Sequence, residues 1–288
     1  MRRTSVTVSD AASDAIELLL RETAGGLPQA IRELHPTRCQ SNEEPLMSRV
    51  LLTVLVGATC LSLWEAVGAT QDPLTDSPDA YRLEFENAWV KVARVVYGPK
   101  AAIAPHPHTE RAAAYVYLND GPPIFFKHEG LPYGGVTRPA TKAGSFRVYK
   151  GIREVHSVEN PTTTPSDFLR VEFKTQPLEE ASLKGKYFRD EPAPVATVQR
   201  TQFENAQVRI TRIRVVAGET LSVATDDAPA LLVALTPAGL VSAGTPGRLM
   251  DTGKTAWLEA GQAASVRPVG GVAEVLRFDF KTGPTESR

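Results

Sequence analysis

The chain repeats itself. Phe85-Glu86-Asn87-Ala88-Trp89-Val90-Lys91-Val92-Ala93-Arg94-Val95 returns as Phe203-Glu204-Asn205-Ala206-Gln207-Val208-Arg209-Ile210-Thr211-Arg212-Ile213. Leu169-Arg170-Val171-Glu172-Phe173-Lys174-Thr175 returns as Leu276-Arg277-Phe278-Asp279-Phe280-Lys281-Thr282. Paired motifs in the same order, enclosing similar lengths, identify one unit duplicated in tandem. Each unit is roughly 90–100 residues, enough for a core of its own.

Inside each unit the signals are those of short strands. Val90, Val92 and Arg94-Val95 alternate apolar and polar, and Val208, Ile210 and Ile213 do so less strictly. Tyr115-Val116-Tyr117-Leu118 and Leu231-Leu232-Val233-Ala234-Leu235 are brief apolar runs, closed by the turn residues Asn119-Asp120-Gly121 and Thr236-Pro237-Ala238-Gly239. Leu169 to Lys174 and Val275 to Phe280 alternate with period two. Short strands broken by Gly and Pro, with no long helical period between them, predict an all-β fold of two sandwiches or barrels. The expected units are residues 81–177 and 196–283. The stretch 178–195, rich in Glu, Lys and Pro, reads as a linker with one short helix at Leu178 to Leu183.

The region ahead of the repeats has a different character. Met47-Ser48-Arg49 precedes the main apolar run, Val50 to Trp64, and Val67-Gly68-Ala69 follows it. Charge, apolar core and small-residue site in that order describe a secretory signal peptide over 47–69, the rival being an uncleaved membrane anchor. The apolar core is short beside the ~20 residues of a spanning helix. Residues 1–46 stand before that signal and read as a non-native or disordered extension, with Met47 as the start. The expected location is periplasmic or secreted. Cys39 and Cys60, the only cysteines, both precede the repeats, so neither a disulfide framework nor a cysteine metal site is available to the folded units.

A formal net charge of -1 and a pI of about 6.5 give no basic face for phosphate, so nucleic acid is not expected as a partner. The histidines are more informative. There are five, His35, His106, His108, His128 and His156, and the second unit has none. Residues i and i+2 of a strand face the same way, so His106 and His108 present two imidazoles on one side. Pro105 and Pro107 place that strand at an edge or rim, where a missing ladder hydrogen bond is tolerated. His156 supplies a third imidazole after the turn glycines Gly144 and Gly151. Three imidazoles on one ion leave positions open for water or substrate. His128, near Gly121-Pro122-Pro123 and Gly130, reads as a hairpin residue, and His35 lies outside the fold.

Gly98, then His106-Pro107-His108, then Gly121 resembles the first motif of the cupin superfamily. Gly144, Gly151, His156 and Asn160 resemble the second, which ends in H-x-x-x-N. The resemblance runs from about Tyr81 to Thr175 through the motifs, and from Ala196 to Thr282 through the repeat. It implies two tandem jelly-roll barrels after the N-terminal signal or anchor, the second degenerate. The pattern departs from the family at one ligand. Ala112-Ala113-Ala114 stands where the family glutamate belongs, and Lys150 stands near the expected proline. Glu110 is the nearest carboxylate and shares the parity of His106 and His108, so it is the candidate fourth ligand. In the second unit the matching histidine positions fall near Val223 to Asp227 and near Val266.

The expected cofactor is therefore a divalent ion (Fe, Mn, Zn or Ni) on His106, His108, His156 and Glu110. Arg147 and Tyr115 are the candidate substrate-binding residues, for a small-molecule ligand. The resemblance implies a metal-dependent, dioxygenase-like enzyme; the alternative is a non-catalytic small-molecule-binding or structural module. Membrane contact is expected only through an uncleaved N-terminal segment, and a homodimer is the assembly to test.

Overall fold

The computed structural model describes residues 72–176, 187–242 and 247–285. The extension 1–46, the signal 47–69 and the helix at Leu178 to Leu183 lie outside them. The first unit contains β1 (Tyr81–Glu86), β2 (Val90–Tyr97), β3 (Ala102–His108), β4 (Ala113–Tyr117), β5 (Ile124–His128), β6 (Gly135–Arg138), β7 (Phe146–Tyr149), β8 (Glu154–Glu159) and β9 (Ser166–Phe173). The pairings nest: β2 with β9, β3 with β8, β4 with β7, β5 with β6, all antiparallel. Nested antiparallel pairs folded into two facing sheets make a jelly roll. One sheet runs β1-β2-β9-β4-β7 and is extended by β10 (Tyr187–Phe188); the other runs β3-β8-β5-β6. Sequence had placed Tyr187 and Phe188 in the linker. Their pairing with Phe146 and Arg147 makes them an edge strand of the first barrel instead.

The second unit repeats the plan with β11 (Val198–Glu204), β12 (Val208–Val215), β13 (Leu221–Ala224), β14 (Ala230–Ala234), β15 (Ala238–Ser242), β16 (Arg248–Met250), β17 (Thr255–Leu258), β18 (Ala263–Pro268) and β19 (Ala273–Phe280). Here β12 pairs with β19, β13 with β18, β14 with β17 and β15 with β16. Even the irregularities recur. The bulge between Leu83 and Phe85 on β1 returns between Thr201 and Phe203 on β11.

The repeated motifs recur because they build the same corner. Asn87 Oδ1 accepts the amides of Trp89 and Val90, and Asn205 Oδ1 accepts those of Gln207 and Val208, so each Asn closes the β-turn between two strands. Lys174 then reaches back to Glu86 and to the Asn87 carbonyl, and Lys281 reaches Glu204 and the Asn205 carbonyl. The Phe-Glu-Asn-Ala segment and the Lys-Thr end are thus two halves of one contact.

The strands divide their side chains between different cores. Val90, Val92, Val116, Phe146, Leu169, Val171 and Phe173 point out of the first barrel and pack against Val208, Ile210, Leu231, Val233, Leu276, Phe278 and Phe280 of the second. The two barrels are joined back to back through this apolar layer. The second barrel's interior is aliphatic: Val215, Val223, Leu232, Leu240, Met250, Leu258, Val266 and Val275 fill it. The first barrel's interior is not. Tyr81, Tyr97, Tyr117, Phe126 and Phe168 surround a group of polar side chains.

Candidate metal centre

β3 is the edge of its sheet, as the prolines required, and a register shift between Ile103 and His106 absorbs Pro105. Past that bulge His106 stands opposite His156 on β8, and His156 stands opposite His128 on β5. His108 faces Glu154 in the neighbouring row. Even spacing along β3 and β8 sends these side chains into the barrel together. The ring centroids of His106 and His108 are 4.9 Å apart, those of His106 and His156 4.9 Å, and those of His108 and His156 4.7 Å. One ring nitrogen of each lies within 4.8 Å of the others, and His106 is fully buried.

Hydrogen bonds choose the ligating atom of His106. Its Nδ1 lies 2.9 Å from the Ala104 carbonyl, which only accepts, so Nδ1 carries the proton and Nε2 keeps its lone pair. Both ring nitrogens of His156 are buried without a well-formed hydrogen bond. Buried orphan donors or acceptors of this kind are costly unless a partner arrives. Three clustered imidazoles, one of them with an unpartnered Nε2, fit a divalent transition ion. One feature works against tight binding: Arg170, on β9, places Nη1 on His108 Nδ1, with Nη2 3.3 Å from Glu172. A guanidinium at that point repels a second cation.

Burial pushes the His106 imidazole down to about 4 and lowers His108 and His156 as well. All three are therefore neutral, the form that ligates a metal, near pH 7. Between about 6.5 and the value of about 4 for His106 the unfolded chain binds more protons than the folded one. Stability is then full above the unfolded value and is lost as pH falls through the folded one. Thermal scans of the metal-free protein are expected to show the transition temperature dropping across that window. A flat profile would count against buried neutral imidazoles.

Sequence reasoning missed two members of this cluster. His128, taken for a hairpin residue, joins Glu154 and His156 in a second group of donors. Glu154 Oε2 is 3.3 Å from His128 Nε2, and Oε1 is 3.4 Å from His156 Nδ1. Glu154 sits two residues before His156, so strand parity alone would have flagged it. His128 needed the register of β5 against β8. The carboxylate lies behind His156, where it can hold the imidazole so that Nε2 faces His106 and His108. Outer carboxylates of this kind are worth about 10–100-fold in metal affinity. Glu154→Gln is accordingly expected to weaken metal uptake by about that factor, with the fold intact by circular dichroism; unchanged affinity would remove Glu154 from the centre.

Glu110 does not join the cluster. β3 ends at His108, so the parity that linked Glu110 to the histidines stops there. Its side chain is 68% exposed and lies 3.6 Å from Arg153, a surface pair. Arg147 and Tyr115 stand opposite each other on β7 and β4, inside the barrel. The Arg147 guanidinium lies 4.4 Å from the Tyr115 ring centroid, and its Nε donates to the Tyr117 hydroxyl at 3.2 Å. Asn160 holds no ion; its amide donates to the carbonyls of Tyr97, Gly98 and Thr164 and pins the β8–β9 turn. Gly151, at φ +75, has the Arg111 carbonyl 2.2 Å from where a Cβ would stand, which explains the glycine there.

In the second barrel the register puts Val223 at the place of His106 and Ala264 at that of His156. Val266, the position expected from sequence spacing, corresponds to Val158 instead. A cleft of about 100 Å³ is bounded by Leu74, Lys91, Glu172, Tyr81 and Arg170, the last two of which contact His106 and His108.

No family model matches the sequence, and no curated protein does. Among solved structures, a cupin 2 conserved barrel domain protein from Leptotrichia buccalis is 12% identical with a TM-score of 0.45, over 70% of this chain and 88% of that one. A salicylate 1,2-dioxygenase from Pseudaminobacter salicylatoxidans is 12% identical with a TM-score of 0.49, over 95% of each chain. The bacterial pirin YhhW from Escherichia coli, in complex with nickel(II), is 16% identical with a TM-score of 0.49, over 71% of this chain and 91% of that one. By its own nested strand pairing and its duplicated corner, the chain carries two tandem jelly-roll barrels among the described residues, with a histidine cluster in the first.

Proposed function

We propose that the protein holds one divalent transition ion in its first barrel, on His106, His108 and His156, and acts there on a small molecule in oxygenase-type chemistry. The observation that carries the reading is the cluster itself: His156 is buried between His106 and His108, one ring nitrogen of each lies within 4.8 Å of the others, and the His156 Nε2 has no hydrogen-bond partner. An ion held by three imidazoles would keep open positions for oxygen and substrate. The chain's own part is to orient and to exclude water. Glu154 fixes His156, Ala104 fixes the tautomer of His106, and the aromatic wall of Tyr97, Phe126 and Phe168 keeps the interior dry. Arg147 and Tyr115 form the wall of the ligand chamber. Export through residues 47–69 belongs to the same reading.

The contact of Arg170 with His108 favours a second reading, a small-molecule-binding module in which a metal is weakly held or absent. Elemental analysis of the purified chain separates the two, followed by nitric oxide added to the ferrous form. One ion per chain with a ferrous–nitrosyl paramagnetic signal supports the enzyme. A chain that takes up no ion defeats the metal reading. A bound ion that gives no nitrosyl leaves the binding module.

A further inference from the structure

The first barrel lacks the carboxylate that would complete its donor set, and Glu110 points to solvent. Glu154 is grouped with His128 and His156, not with His106 and His108. An oxygen nevertheless lies on the ligating nitrogen of His106: the Tyr81 hydroxyl, 2.9 Å from Nε2. Tyr81 is 4% exposed, and its ring centroid lies 5.2 Å from that of His106 and 6.1 Å from that of His108. It lines the cleft beside Arg170.

We propose that Tyr81 is the fourth protein ligand, its hydroxyl oxygen standing in for the missing glutamate. Resting on the metal-centre reading above, this identifies a donor that sequence spacing could not show. The phenol hydrogen occupies the one lone pair of His106 that the Ala104 carbonyl leaves free. An ion bound to that nitrogen would take the same lone pair, so the hydroxyl would have to turn away or coordinate. Coordination breaks the phenol O–H bond and forms an oxygen–metal bond, and the proton leaves to solvent. Tyr97, whose hydroxyl is 2.9 Å from that of Tyr81, then donates to the phenolate oxygen. A negative oxygen here also offsets the charge of Arg170, the feature least favourable to a three-imidazole site.

Ferric ion alone is the probe, added to the full chain, with bound iron measured separately. A ferric phenolate has a visible charge-transfer band, so the wild type should colour on loading and show tyrosinate modes in resonance Raman spectra. Tyr81→Phe should bind iron and stay colourless, and Tyr97→Phe should keep the band but shift it. Should Tyr81→Phe fail to fold, the wild-type spectrum and the Tyr97→Phe shift still decide. Stoichiometric iron without a band, a band that survives in folded Tyr81→Phe, or one that Tyr97→Phe leaves unmoved overturns the proposal and leaves the metal centre standing. Failure of the wild type to bind ferric iron overturns the proposal, and failure to take up any of ferrous, manganous, nickel or zinc ion as well overturns the metal centre on which it rests.

Discussion

His106→Ala abolishes stoichiometric metal uptake, and with it the rise in transition temperature that the ion gives the wild type. The expectation follows from where His106 stands. It is fully buried, its proton is committed to Ala104, and Nε2 has no other role than to meet an ion or the Tyr81 hydroxyl. Loss of an outer partner costs about 10–100-fold, and loss of one of the nitrogens that touch the ion should exceed that. A ligand at 100 times its dissociation constant stabilises by ~2.7 kcal/mol, which moves a domain of this size by roughly 5–10 °C. Differential scanning fluorimetry with and without added metal reads the shift in one experiment. His156→Ala should behave as His106→Ala does. The wild type should bind one ion, not two, because Val223 and Ala264 occupy the matching places in the second barrel. Retention of the metal-dependent shift in both variants would put the ion somewhere other than this cluster.

Much of this site could be read from the chain because strand parity is strict. The spacing of His106 and His108 put both on one face, the prolines beside them demanded an edge, and β3 is that edge. The duplication was legible because the repeated residues form one corner contact in each barrel, so neither half can drift alone. Parity failed where strands end or shift. Glu110 was assigned inward by extending β3 past His108, its last residue. The second-barrel counterpart of His156 was placed at Val266, two residues from Ala264, because spacing alone does not fix how β18 registers against β13. His128 was missed because only the pairing of β5 with β8 brings it to His156, and Tyr81 because it enters from the first strand, outside either motif. Short apolar runs gave no hint that one barrel is filled with aliphatic side chains and the other with tyrosines, arginines and histidines. That difference lies in which residues face inward, and it separates a packed scaffold from a chamber.

The second large effect concerns the layer between the barrels. Phe173→Ala and Phe278→Ala are each expected to destabilise the whole protein by about 3–5 kcal/mol, the usual cost of deleting a buried phenyl ring. Both side chains are almost fully buried, with ring centroids 6.3 Å apart, and Phe280 lies 6.1 Å from Phe173 on the same face. Trp89 and Trp257 close the cluster at 5.9 and 5.7 Å from Phe280. Because residues of both units make this core, neither barrel can open its outer sheet without exposing the other's. Unfolding should therefore be a single transition that each variant shifts as a unit, and the double variant should cost less than the sum by roughly 0.5–1.5 kcal/mol, the coupling of an aromatic pair. Two separable transitions, with Phe173→Ala moving only one, would show independent barrels and refute the shared core. Cooperativity of this kind also gives the second barrel a purpose without a site of its own. β9 carries Arg170 on its inner face and Leu169, Val171 and Phe173 on its outer one. The strand that sets Arg170 beside His108 is thus held in register by the apolar surface of the second barrel. Phe278→Ala, on a strand of the second barrel, should then lower metal affinity in the folded protein as well as stability, and equal affinity in wild type and variant would confine the second barrel to a purely structural part.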